Sequence, residues 1–307
     1  MPLYLGKAKN NLRQVDHMQI VYHIGAHCTD EGHLQTCLAR NKRFLAEEKI
    51  IVPNPGNWRP ILRETMEALQ GGPADKSVQE IMLDSILTED DPQRIIFSNN
   101  TFISGIQRVF DRETLYPYVG DKCRKLNNLF HDHEVEFCLA VRNPATFIPA
   151  CYHKMEADDF ETYLAQVDPM TLRWSDVVTR IREAVPDVPL KVWSNEDTPF
   201  IWYELIREIS DHGPDTRIVG LDDFLKTIMN EEGLDRMNAY IKTHPPANEI
   251  QRRRILSAFL DKFEIEDTTP EVEAPSWTED YIDALTDIYE EDLFAIEKMP
   301  GVQFISP

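Results

Sequence analysis

Residues 25–33 read Gly-Ala-His-Cys-Thr-Asp-Glu-Gly-His, and nearly every side chain in that run can do chemistry. An apolar run ends at Gly25, and an amphipathic segment with Leu34, Leu38 and Phe44 on one side begins near Gly32. Strand, turn and helix in that order form the scaffold of an anion site. Its attraction comes from the helix N-terminus, where unpaired N–H groups and roughly half a positive charge face the ligand. Here Asp30 and Glu31 stand at that terminus, with Cys28 in the turn. Thr and Asp cap helices, and acidic residues in a first turn complement the dipole, so a structural role is the first expectation for Thr29, Asp30 and Glu31.

A second candidate is Arg142, which follows the apolar run 134–141 and precedes Asn143-Pro144. Its guanidinium can fork onto a phosphate or pair with a surface carboxylate. If Gly25 and Arg142 both end strands, then His27, Cys28, His33 and His153 share one sheet edge. With Asp30 and Glu31 they offer donors to a transition metal, but the spacings match no metal motif, and polar residues lining a solvated cleft are expected instead. His131-Asp132-His133 precede their strand and belong at the opposite end of the sheet, as surface turn residues. Arg252-Arg253-Arg254, with acidic residues close behind, reads as a solvated helix face with local ion pairs.

The composition narrows the partners. A net charge of −21 over 307 residues opposes sequence-independent nucleic-acid binding, because phosphate neutralisation dominates such affinity. Any anionic ligand must be drawn in by a local basic pocket against the overall field. No charged-then-apolar leader opens the chain and no apolar run approaches the ~20 residues that span a bilayer, so the expectation is a cytoplasmic protein without membrane contact. The five cysteines lack CxxC spacing and sit mostly in apolar contexts, which predicts reduced, partly buried thiols.

These candidates need elements to position them. Short apolar runs alternate with helix-length amphipathic segments, the pattern of a doubly wound, mainly parallel α/β sheet covered on both faces. Strands are predicted at 19–24, near 50–53, and at 94–98, 134–141 and 190–193. Helices are predicted at 32–48, 59–70, 77–87, 122–129, 159–165 and 174–185. Beyond about 215 the signal changes: two helices within 221–262 are parted by His244-Pro245-Pro246, an acidic, proline-broken connector covers 264–275, and a helix over 277–297 stops at Pro300-Gly301. The expected division is an α/β domain over 15–215 and a helical C-terminal portion over 216–307 packed on it.

The ordered set of His23-Ile24-Gly25-x-His27-x-Thr29, Leu38-Ala39-Arg40-Asn41, Val141-Arg142-Asn143-Pro144, Val192 to Asp197, Tyr289 to Leu293 and Pro300-Gly301-Val302 resembles the bacterial branch of the sulfotransferase family over roughly residues 19–305. The resemblance implies a P-loop-type fold. It also implies transfer of a sulfuryl group from 3′-phosphoadenosine 5′-phosphosulfate (PAPS) to a hydroxyl or amine, which needs a cation at the bridging oxygen, a base for the acceptor and donors around both phosphates. On that pattern Gly25, Thr29, Gly32 and Arg142 are the cofactor-binding candidates, and His27 and Asn100 the catalytic ones.

Set against the family's pattern, Cys28 stands where it places lysine, Asp30 where it places glycine, Ala150 where it places serine, and Asn100 near its base. An amide cannot take a proton at neutral pH, so Asn100 can only orient an acceptor. Two carboxylates beside a phosphate cost on the order of several kcal/mol at an effective dielectric near 20. PAPS, or its product 3′-phosphoadenosine 5′-phosphate (PAP), is therefore expected to bind weakly, and sulfuryl transfer to be impaired. The alternatives are a non-catalytic ligand-binding or interaction protein using the same cleft and, third, a metal-dependent activity.

Overall fold

The computed structural model describes residues 18–88, 91–111, 113–156, 159–164, 167–265 and 277–307. Six strands form one sheet: β1 (Gln19–Gly25), β2 (Ile50–Ile51), β3 (Arg94–Ser98), β6 (Glu134–Val141), β7 (Leu190–Ser194) and β8 (Val302–Ile305). Their order is β2-β3-β1-β6-β7-β8, and every neighbouring pair runs parallel. A two-stranded hairpin, β4 (Phe110–Asp111) with β5 (Thr114–Leu115), lies apart from it.

Helices cover both faces, which is why β1, β3, β6 and β7 read as unbroken apolar runs. Ile20, Tyr22 and Ile24 of β1 face a large core built with α2 (Pro55–Ala68), α3 (Lys76–Ile86), α4 (Val119–Leu129), α5 (Pro144–Met155), α6 (Phe160–Leu164), α7 (Trp174–Ala184) and α11 (Glu279–Glu297). Val21, Ile96, Ala140 and Trp193 face the other way, onto α1 (His33–Glu47) and α8 (Thr198–Ser210). The doubly wound α/β expectation is met.

Local chemistry fixes the helix starts. Asn54 accepts from the Gly56 N–H at 2.9 Å with Pro55 in the first turn, so α2 begins four residues before the predicted start. Asp75 caps α3 through the Val78 N–H at 2.9 Å. The prediction omits α5 and α8. α5 carries an internal proline, Pro149, and buries Phe147, Ile148 and Cys151, which leaves little amphipathic signal.

The C-terminal portion differs from its prediction. α9 (Glu231–Thr243) and α10 (Glu249–Phe263) do form a helix pair with a small core of Leu234, Met237 and Leu256, as expected. However, β8 is the edge strand of the main sheet and α11 packs on its helices, so a boundary near 215 does not separate a helical unit from the sheet. A four-residue edge strand after a helix stop is too short to register as a periodic run. Residues 15–17 of the expected domain and 266–275 of the expected connector lie outside the described residues.

Candidate active site

The candidate residues gather at the C-terminal edge of the sheet, where ligands of open α/β sheets bind. β1 runs into the loop 25–32, and Gly25 is required at its start. It has φ +121°, and a Cβ there would sit 3.1 Å from the Asn100 carbonyl oxygen, two residues past the end of β3. That close approach brings Asn100 to the loop, as the sequence order implies.

Asp30 settles how α1 begins. Its carboxylate accepts the Leu34 N–H at 2.7 Å on one oxygen and the Gly32 N–H at 3.3 Å on the other. The donors that would greet an anion are held by the protein's own carboxylate. Thr29 turns inward, its hydroxyl donating to the Ala26 carbonyl at 3.0 Å. Gly32 has φ +84° with open space around its Cα. Glu31 reaches outward and pairs with Lys154 at 2.9 Å.

Lys154, from the last turn of α5, is the residue that sequence reading missed. It lines both the main cleft of about 810 Å³ and an adjoining one of about 200 Å³. Partial burial pulls its pKa down, but the bond to Glu31 and that residue's charge leave it raised on balance, so its cation is held firmly. Asn143-Pro144 is a cap followed by an N1 proline, and that signal would have placed α5 and carried Lys154 toward the loop.

Arg142 follows the last residue of β6 and faces the loop. Its guanidinium donates to the Cys28 carbonyl, and through Nε to the Thr146 hydroxyl at 2.9 Å. Its own carbonyl accepts from the Trp174 indole at 2.8 Å. Next to it the Asn143 N–H donates to Glu196 at 2.9 Å, and Glu196 also accepts from Ser194 at 2.8 Å and Tyr289 at 2.9 Å. Asn143 further donates to Thr286 at 2.9 Å, while Asp292 accepts the Trp174 N–H at 2.6 Å. Three of the sequence fragments noted above, around Arg142, Glu196 and Tyr289, therefore meet in one network that fixes the Arg142 backbone.

His27 is placed differently from expectation. It is 1% exposed and lines neither cleft. Tyr116 accepts its backbone N–H at 3.1 Å, and the Tyr116 hydroxyl lies 2.7 Å from Nδ1. Burial, with Lys154 nearby, lowers its pKa to about 4, so at neutral pH it carries no charge to offer a leaving group. A catalytic role is the expectation for His27; the structure places it against Tyr116, off the wall of both clefts. His23 is buried and stacks on Trp193, with Nδ1 2.9 Å from the Ser98 hydroxyl.

The candidate metal ligands do not converge. His27 packs on Tyr116, Cys28 lies beside Cys151, His33 meets Phe224 edge-on and His153 contacts Tyr152. Among the described residues no group of three or more His, Cys, Asp or Glu is placed to hold a metal ion. Nor is any helix among them long and apolar enough to cross a membrane.

No family model matches the chain, and no curated protein matches it. Among solved structures, the crystal structure of a sulfotransferase from Alicyclobacillus acidocaldarius is similar at a TM-score of 0.38 and 12% identity, covering 78% of this chain and 95% of that one.

Proposed function

We propose that this chain is a sulfotransferase-like protein whose cleft receives a small anionic molecule, and in which sulfuryl transfer from PAPS to a hydroxyl or amine is impaired. The observation that carries the reading is the Asp30 carboxylate on the N–H groups of Gly32 and Leu34. A 5′-phosphate bound at that helix terminus must displace a charge-assisted cap and then sit beside the displaced carboxylate. PAP or PAPS accordingly binds weakly, through Arg142 and the loop residues Gly25, Thr29 and Gly32. Asn100 orients an acceptor without deprotonating it. Losing one electrostatic group typically costs about a hundred- to a thousand-fold in rate, and losing the base costs about as much again.

A second reading is a non-catalytic ligand-binding protein using the same cleft. It is favoured by the pairing of the cleft's Lys and Arg side chains, since Lys154 is bonded to Glu31 and Arg142 to the loop carbonyl. In either reading the partner is a small molecule rather than nucleic acid, and the setting is cytoplasmic. Isothermal titration with PAP tests the proposal. The unaltered chain is expected to bind weakly, and Asp30→Gly with Cys28→Lys to bind more tightly. Submicromolar affinity of the unaltered chain overturns the impaired-site reading. Turnover on the order of one per second with PAPS and a phenol or alcohol overturns both.

A further inference from the structure

The loop holds a feature that neither reading uses. Cys28, in the turn of the loop at φ +53°, lines the main cleft although the residue is only 2% exposed. Behind it on α5 lies Cys151, fully buried, whose thiol donates to the Cys28 sulfur across 3.9 Å. We infer that Cys28 and Cys151 are a redox-sensitive pair, closing to a disulfide at the base of the cleft when a small hydroperoxide reaches Cys28.

The surroundings separate the two roles. Cys28 is the attacking sulfur: it borders the cleft, accepts the Cys151 thiol, and lies near the cations of Lys154 and Arg142. The Cys151 hydrogen bond, more than those cations, draws the Cys28 thiol below its ordinary pKa, against an opposing effect of burial. Burial pushes Cys151 up, as suits a resolving thiol that stays protonated until its partner is oxidised. The remaining cysteines lack such a setting. Burial pushes Cys37 up to about 11, and raises Cys123 and Cys138 well above the usual thiol range inside the core. Reactivity at a thiol follows thiolate character and access, and Cys28 combines the lowered pKa with a place on the cleft wall.

The chemistry closes without a further reactant. The Cys28 thiolate attacks one oxygen of hydrogen peroxide; an S–O bond forms, the O–O bond breaks, and hydroxide leaves to take a proton as water. Cys28 is then a sulfenic acid. The Cys151 sulfur attacks Cys28, the S–S bond forms, the S–O bond breaks, and the departing hydroxide leaves as water with the Cys151 proton. Two thiols lose two electrons and the peroxide gains them. The sulfurs need only close from 3.9 Å to about 2.05 Å. Oxidation pins the loop to α5 and removes the Cys28 thiol from the base of the cleft. A dithiol reverses it by exchange. None of this depends on whether the cleft binds a bisphosphate.

The test treats the full chain with hydrogen peroxide and maps its peptides without reduction. The expected result is a Cys28–Cys151 cross-link with a mass loss of about two units, reversed by dithiothreitol, while Cys123 and Cys138 stay reduced. In Cys151→Ser the reaction should stop at a Cys28 sulfenic acid captured by dimedone. In Cys28→Ser neither the link nor the dimedone adduct should form. A cross-link through another cysteine, an unreacted Cys28, or over-oxidation of Cys28 beside a free Cys151 thiol overturns the inference. Circular dichroism verifies that each variant is folded; if Cys151→Ser is not, the wild-type peptide map decides.

Discussion

The two ends of the sheet both hold charges, but they hold them in different ways. At the N-terminal edge Arg94, whose side chain is 5% exposed, lies 3.1 Å from Glu136, and Lys191 lies 3.2 Å from the same carboxylate. Arg94 also donates to the Ile209 carbonyl at 3.0 Å and Lys191 to the Glu208 carbonyl at 2.6 Å. Side chains of opposite sign satisfy one another there. At the C-terminal edge the charges lean on the backbone: Asp30 on two N–H groups, Arg142 on a loop carbonyl. The first arrangement is self-contained. In the second, Asp30 and Arg142 each occupy a backbone group of the loop, beside the Glu31–Lys154 pair that borders the cleft.

The largest test of that contrast is Glu136→Ala, which leaves Arg94 and Lys191 without their shared carboxylate. Breaking a buried ion pair costs about 3–5 kcal/mol, so denaturant unfolding should show a loss near 3 kcal/mol, with anion binding in the cleft unchanged. A loss below about 0.5 kcal/mol would make the charges of this edge as exchangeable as those of the other.

His27 gives the next effect, through pH. Its folded pKa of about 4 lies below the unfolded value of about 6.5, so the unfolded chain takes the proton first as pH falls. Its contribution is fully present above pH ~6.5 and is lost as pH drops toward 4, on the order of 3 kcal/mol in total. His27→Gln should flatten that part of the stability–pH curve. An unchanged curve would show that His27 is not the neutral, buried group described.

Smaller and sharper is Asp30→Ala. Loss of a cap costs about 1 kcal/mol, so unfolding should move by that amount while affinity for inorganic phosphate or PAP rises. Destabilisation with no gain in anion affinity would show that Asp30 does not compete with a ligand. Smallest is Arg142→Ala, expected to weaken any anion binding while shifting the melting temperature by no more than about 4 °C. A larger shift with intact binding would move Arg142 from the site to the scaffold.

Much of the frame was legible because strands covered on both faces are continuously apolar. β3 and β6 match their predicted limits, and β1 and β7 extend one residue further. The capping expectation for Asp30 was equally readable, since Asp at a loop–helix junction has few better uses. What remained hidden lacked periodicity. α5 is buried on too many sides to look amphipathic, and its Pro149 argues locally against a helix. Missing α5 meant missing Lys154, along with the partner of Cys28. His27 was misplaced for a related reason: the phenol that claims it, Tyr116, is 89 residues away, between β5 and α4. The adjoining hairpin is four residues of strand in all, too short to announce itself.

The hydrogen bonds that join Thr286, Tyr289 and Asp292 to the Arg142 neighbourhood tie the last elements of the chain to the scaffold of the cleft. Until residues 279–305 have been synthesised, β7 is an open edge, Glu196 lacks its phenol partner and the Trp174 N–H lacks its carboxylate. A nascent chain halted at residue 265 would therefore carry the residues that line the cleft but lack the bonds that brace the backbone around Arg142. It would also expose a strand edge open to intermolecular pairing.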